Sequence, residues 1–485
     1  MLGKFSIGQM EKRMFDLQKY QQNIAFYDDN NHYVTYGDIK QVAKEIDRLI
    51  GSRNLIYLLC DNTIGSLVYY VAFLYTNNVI QIVSCDNRGE WIEKNYLAFQ
   101  PNYICKPIEF RDCSSLLLHQ FMGYGIFKGN DVVTYEIYSN LSLLIPSSGS
   151  TGECKYVRQS KENIQANTGA IIECLGLSCN DKPILALPMS YTYGLSIVNT
   201  HVSVGATILV SKKKILQKEF WEFFNQQKGT SFSGVPYSYE ILNRFRFFDW
   251  KLPCLNCMTQ AGGKLSNELI RKFSEYAKKK NIRFYVMYGQ TEATARMTCL
   301  PYQYVWENEK IGSVGIAIPG TEIYLEDTTG KRIRESKQEG EIIFEGENVT
   351  LGYAESYFDL DKGDDNQGIL RTGDVAYLDE DGFVYITGRK KRFVKICGKR
   401  ISLDSIEAYI SERYSDQMDY AIVGNDKKIF VIINQEDACA KIENDLLAYY
   451  QFYKSNLSVE YWKNIPKTLS GKTDYNEIMK KILVR

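Results

Sequence analysis

Histidine is nearly missing from this sequence, with three (His32, His119 and His201) in 485 residues. That scarcity argues against a histidine-based metal site or catalytic triad. An excess of charge is missing too: Lys plus Arg and Asp plus Glu number 58 each, for a formal net charge of zero. Such a chain has no global field to gather nucleic acid or an anionic membrane, so a polyanionic ligand must be met by local cations. The first residues, MLGKFSIGQMEKRMFDLQ, lack the apolar core of a signal peptide. A cytoplasmic protein is therefore expected, with its twelve cysteines reduced. Cys254 and Cys257 form a CxxC pair, but no second pair or neighbouring histidine completes a metal site, and both read as structural. Residues 62–85 carry no charge and approach transmembrane length. Thr76, Asn77 and Asn78 interrupt them, so the expectation is a buried helix followed by a strand, with no transmembrane segment. Fixed-period repeats and low-complexity segments are absent.

What is present is a soluble balance, 45% hydrophobic and 24% charged, in a chain longer than one core usually supports. Short β-branched runs (NLIYLLC, VIQIVS, LSLLIP, PILALP, ATILVS, NIRFYVMYG) alternate with helical segments. The pattern predicts an α/β fold with largely parallel strands covered by helices. From about residue 311 strands and turns dominate (TEIYLEDTTGKR, GEIIFEGENV, GFVYITGR). Near 390 the texture becomes a small α+β unit with a helix over 403–414. The expected organisation is a large N-terminal domain, 1–389, of parallel α/β subdomains plus a β-rich subdomain at about 311–389. A small mobile α+β domain, 390–485, follows, with the basic run Arg389–Arg392 at the boundary.

The strongest local signal is SSGSTGECK, Ser147 to Lys155, directly after the apolar LSLLIP. Two glycines and four hydroxyl residues make a loop whose N–H groups and hydroxyls can wrap a polyphosphate, with Lys155 as a point charge. The Walker A spacing is absent, and alone such a loop is more often a linker.

The loop is not alone. Ser147–Lys155 resembles the phosphate loop of the adenylate-forming superfamily of acyl-CoA synthetases, nonribosomal-peptide adenylation domains and luciferases. YGQTEAT at 288–294 resembles its YGxTE motif, RTGD at 371–374 with the run to residue 407 resembles its TGD-to-hinge segment, and PKTLSGK at 466–472 resembles its C-terminal lysine motif. Four motifs in order, from residue 147 to residue 472, make the resemblance specific, and VTYGDIKQVAKEI at 34–46 extends it to nearly the whole chain. The resemblance implies a phosphate-binding role for Ser147, Ser148, Gly149, Ser150, Thr151, Gly152 and Lys155. It puts adenine at Tyr288, with Gly289 and Gln290 as further nucleotide-binding residues, the α-phosphate at Thr291, and Mg2+ at Glu292, whose carboxylate is a hard ligand. Asp374 would accept from the ribose hydroxyls, with Arg389 a second contact to ribose or phosphate. Lys472 would be the catalytic cation, bridging carboxylate and phosphate oxygens as charge builds. Lys391 would be the hinge.

For the acid, PMSYTYGL at 188–195 resembles a pocket-wall segment, with Tyr191 where many relatives have histidine. Tyr193, Gly234, Gln260 and Gly262 are further expected walls. No acidic residue occurs in that segment, and a buried ammonium without a counter-charge is costly, which disfavours an α-amino acid. Cys154 and Tyr156 flank Lys155 where relatives usually have proline and glycine, and Tyr475 replaces a common basic residue. The expected activity is ATP- and Mg2+-dependent formation of acyl-AMP, then transfer to a thiol of CoA or of a phosphopantetheinyl carrier protein. The rivals are a ligase with an amine or hydroxyl acceptor, and a non-catalytic nucleotide or acyl binder. Intact Lys472, Glu292 and Asp374 argue against the binder.

Overall fold

The computed structural model describes residues 15–87, 90–110, 116–129, 134–147, 155–396, 399–414, 418–425, 427–468 and 472–483. The fold is α/β. Contacts divide the chain into two compact units that do not follow chain order: 1–147, 154–231 and 350–365 form the first, and 148–153, 232–349 and 366–485 the second.

In the first unit an eight-stranded sheet has four central strands, Leu141–Pro146, Val79–Ser84, Leu55–Cys60 and Tyr103–Pro107, all parallel to one another. Leu55–Cys60 is buried along its whole length, which suits an uninterrupted apolar strand covered on both faces. Tyr156–Ser160 and Gly352–Ala354 extend one edge antiparallel. The charge-free stretch resolves as expected into helix Ile64–Tyr75, buried from Ile64 to Leu74, and strand Val79–Ser84. The helix stops where the Thr76 hydroxyl donates back to the Ala72 carbonyl at 3.0 Å and competes with the ladder. Among the described residues no helix is long and apolar enough to cross a membrane.

PILALP yields only a two-residue strand, Pro183–Ile184. The Asn62 amide explains the shortfall: it donates to the carbonyls of Leu185 (3.1 Å) and Leu187 (2.9 Å) and accepts from the Met189 N–H (2.9 Å). Backbone groups turned onto a side chain cannot continue a ladder.

In the second unit Cys257–Gln260 and Arg283–Tyr288 run parallel, with Thr298–Leu300 and Ile316–Ala317 added antiparallel. A separate antiparallel sheet follows, Thr321–Glu326, Gly340–Gly346, Ile369–Leu378 and Val384–Arg389 in that spatial order. Past Arg389 come a 3-10 turn Lys390–Arg392, the paired strands Phe393–Ile396 and Lys399–Ser402, and helix Leu403–Arg413. A three-stranded sheet, Tyr420–Gly424, Ile429–Ile433 and Leu457–Tyr461, completes this region with helices Cys439–Tyr450 and Tyr475–Leu483. Ile406, Ile410, Ile422, Val431 and Leu446 centre its core, each fully buried and each contributing about 1.5–3 kcal/mol by leaving water.

Candidate active site

Strand Arg283–Tyr288 has a buried apolar middle, so it carries Tyr288 to the rim of its sheet as a fixed point. Gly289 must be glycine: a Cβ there would lie 1.8 Å from the Ala295 carbonyl oxygen. The chain then turns through the 3-10 segment Thr291–Ala293 into Thr294 at φ +63°. That strained residue is held by its hydroxyl, which donates to the Asn348 carbonyl at 2.7 Å. Asn348 answers by donating to Ala293 O (2.9 Å) and Arg296 O (3.2 Å), which pins the turn presenting Thr291 and Glu292.

Asp374 is the centre of the arrangement. It sits in strand Ile369–Leu378 directly opposite Arg389, and only 3% of it is exposed. Its Oδ2 accepts from the Tyr288 hydroxyl (2.5 Å) and from Gln290 Nε2 (2.7 Å), and its Oδ1 accepts from Arg389 Nε (3.1 Å). The Thr372 hydroxyl accepts from the Asp374 N–H at 3.0 Å and sets the backbone, while Gly373 supplies φ +71°. Burial and the adjacent Asp374 charge hold the Tyr288 phenol well above its ordinary range, so it remains a donor.

Lys472 reaches this centre from the far end of the sequence. A short hairpin presents it: Thr468 N–H donates to Lys472 O at 2.7 Å, Lys472 N–H to the Thr468 hydroxyl at 3.2 Å, and Lys467 bridges Thr473. Lys467 braces the hairpin, with Nζ 3.5 Å from Asp419 and 4.4 Å from the Tyr237 ring centroid. Burial lowers the Lys472 ammonium below the ordinary lysine range, and Arg389 pushes the same way, while Glu292 and Asp374 act against both. Thus Tyr288, Gly289, Gln290, Thr291, Glu292, Asp374, Arg389 and Lys472 share one locality in the second unit.

The other expected residues belong to the first unit or to other elements of the second. In the first unit Ser147 donates to the Lys155 carbonyl through its N–H (3.0 Å) and hydroxyl (3.2 Å), closing the base of the loop. Ser148, Gly149, Ser150, Thr151 and Gly152 lie outside the described residues. Tyr191 caps helix Thr192–Ser203, and the Tyr193 ring meets it edge-on at 6.3 Å. In the second unit Gly234 ends strand Ser231–Gly234, Gln260 donates to Gly263 O at 2.8 Å, and Gly262 turns the chain at φ +86°. Lys391 is the middle of the 3-10 turn.

Sequence reasoning missed several residues that hold this apparatus. Glu341 accepts from the Gly373 N–H (3.2 Å) and pairs with Lys390 (2.6 Å). Asp404 accepts from the Arg389 N–H at 2.8 Å and pairs with Arg392, which also donates to Glu407 at 2.8 Å. Tyr475, in place of a basic residue, lies under Arg392 at 4.0 Å and donates to Glu407 at 2.9 Å. The readable signals were acidic residues two and five places after the strand ending in Ser402, and Asn62 after a wholly apolar strand.

Residues 134–354 match the family described as AMP-binding enzyme. That match takes in the Ser147–Lys155 loop and the YGQTEAT turn, two of the motifs that carry the resemblance to the adenylate-forming superfamily. The chain is 27% identical over 355 residues to the 2-succinylbenzoate–CoA ligase of Listeria monocytogenes, covering 71% of each. In fold it is similar to ATP-bound MatB from Rhodopseudomonas palustris, with a TM-score of 0.77 at 18% identity over 97% of this chain and 98% of that one. It is also similar to o-succinylbenzoate CoA synthetase from Bacillus subtilis in complex with its acyl-adenylate, with a TM-score of 0.72 at 18% identity over 95% and 97%.

Proposed function

We propose that this protein activates a carboxylic acid with ATP and passes the acyl group to a thiol. The observation that carries the reading is Lys472 beside Glu292, Asp374 and Arg389, more than sixty positions beyond the last of them in sequence. A pure nucleotide binder has no use for a partly desolvated ammonium at that point.

In the first step a carboxylate oxygen attacks the α-phosphorus of ATP, the bond to the β-phosphate oxygen breaks, and pyrophosphate leaves. Tyr288 offers an aromatic face to adenine. Asp374 exchanges its Tyr288 donor for ribose hydroxyls, with Gln290 and Arg389 keeping the carboxylate oriented. Thr291 donates to the α-phosphate, and Ser147 and Lys155 serve the polyphosphate. Lys472 stabilises the charge that builds on the carboxylate and phosphate oxygens, a contribution of about 3–4 kcal/mol for one preorganised donor. Glu292 is a fitting partner for Mg2+, which is commonly held by one or two carboxylates together with phosphates. The ion would supply charge neutralisation on the polyphosphate.

In the second step a thiolate attacks the acyl carbon, AMP leaves, and the thiol proton goes to solvent. CoA is the acceptor favoured by the relatives, which are CoA ligases by name; a carrier-protein thiol is the alternative. Tyr191 and Tyr193, without an acidic neighbour in PMSYTYGL, favour an uncharged apolar or aromatic acyl group. Residues 390–485 would act as the moving domain, turning about Lys391 to exchange Lys472 for the thiol-side segment.

The deciding experiment separates the two steps. Lys472→Ala should lose acid-dependent pyrophosphate exchange by two orders of magnitude or more, at about 1.4 kcal/mol per tenfold. It should still convert synthetic acyl-AMP and CoA to thioester. Exchange near the wild-type rate would remove the assignment.

A further inference from the structure

Lys155, which closes the loop begun at Ser147, already has two partners in its own unit, one on an edge strand and one just past its end. Its Nζ lies 3.9 Å from the centroid of the Tyr353 ring and 4.0 Å from Glu355 Oε1. Strand Gly352–Ala354 holds Tyr353 in register with Val157 and Ala354 with Tyr156, and Glu355 follows directly after it. Three features fix that strand. Arg158, wholly buried, donates to Tyr353 O (3.0 Å), Leu351 O (2.8 Å), Asp365 Oδ2 (2.6 Å) and Lys362 O. Gly352 adopts φ +117°, and a Cβ there would lie 2.6 Å from Asp365 Oδ2. Tyr156 is buried next to Lys155, its ring edge-on to Phe99 at 5.2 Å and its hydroxyl accepting from Asn95 at 2.8 Å. Tyr353 itself stays 38% exposed, an unusual place to find so firmly supported an aromatic ring.

The two partners differ in kind. Glu355 is well exposed, and an ion pair at its separation in water is weak and screened. The Tyr353 ring is neutral: it orders the ammonium without cancelling its charge. We propose that Tyr353 is a positioning residue for Lys155 and that Glu355 is an exchangeable counter-ion, displaced when a polyphosphate binds. The proposal rests on the ATP reading above. A triphosphate carries more charge than one carboxylate and takes the ammonium from Glu355, while Tyr353 remains under it and keeps the lysine ordered. Part of the ordering cost of a long side chain is thereby met before ATP arrives.

The test measures MgATP and AMP dissociation constants by calorimetry on the full chain, for wild type, Tyr353→Phe, Tyr353→Leu and Glu355→Gln. Tyr353→Phe keeps the ring and should match wild type. Tyr353→Leu should weaken MgATP about fivefold while leaving AMP nearly unchanged. Glu355→Gln, an exposed change that leaves folding alone, should tighten MgATP about threefold at low salt and lose that gain at high salt. Tyr353→Leu and Glu355→Gln proteins that bind MgATP as wild type does, or that lose MgATP and AMP in equal measure, overturn the proposal and leave the ATP reading intact. A wild type that binds neither nucleotide overturns both.

Discussion

At the residue scale the chemistry converges on two side chains with opposite demands. Asp374 is nearly buried and needs donors for its oxygens, which Tyr288, Gln290 and Arg389 supply. Lys472 must remain a cation although burial and Arg389 favour its neutral form. The sign of the resulting pH dependence follows. The lysine is charged below its depressed pKa and neutral above it, so adenylation should fall on the alkaline side at a pH lower than an ordinary lysine would give. Lys472→Arg, which stays charged, should move that limb upward whatever it does to the maximal rate. Pyrophosphate-exchange profiles for both proteins decide this, and an unmoved limb would trace the loss to another group. Most of this centre was legible in the sequence because its members sit in short motifs whose residue types suit phosphate and ribose. Glu341, Asn348 and Asp404 were not: each acts through a partner more than ten positions away, and no local spacing encodes that.

At the element scale the parallel strands were readable because a strand covered on both faces must be apolar throughout, as Leu55–Cys60 is. The truncation of PILALP was not, since it depends on Asn62 from another element. The edge strand Gly352–Ala354 was missed for a similar reason: three residues carry no periodicity, and Arg158 is what secures them. Replacing Arg158 by Met strips the donors from buried carbonyls, and an expected loss of about 3–5 kcal/mol follows from breaking such a group on one side. Hydrogen exchange should quicken throughout residues 350–365, and Arg158→Lys should not restore protection, because one ammonium cannot replace a planar fork. Unchanged protection would show that the strand is held by its ladder alone.

At the scale of the whole molecule the basic run RKKRFVKICGKR, seven cations in twelve residues, is only partly a solvated face. Lys390 is paired with Glu341, and Arg392 with Asp404 and Glu407, leaving Lys391 as the one residue between two anchored ends. The side chains of Lys391, Lys395, Lys399 and Arg400 lie outside the described residues. If they steer an anionic thiol substrate, the thioester step should weaken more with salt than adenylation does. Lys391→Pro should impair the thiol step while sparing adenylation. Equal responses of the two half-reactions, measured at low and high salt, would remove both the steering and the hinge. The interleaving of the two compact units has its own consequence for how the chain is made. Synthesis runs from one end, yet the first unit draws its edge strand from residues 350–365, after most of the second unit's α/β part has already emerged. Until then Arg158 has no carbonyls to receive it. A nascent chain halted at residue 231 therefore carries a guanidinium without its acceptors, an open sheet edge and a reason to recruit a chaperone.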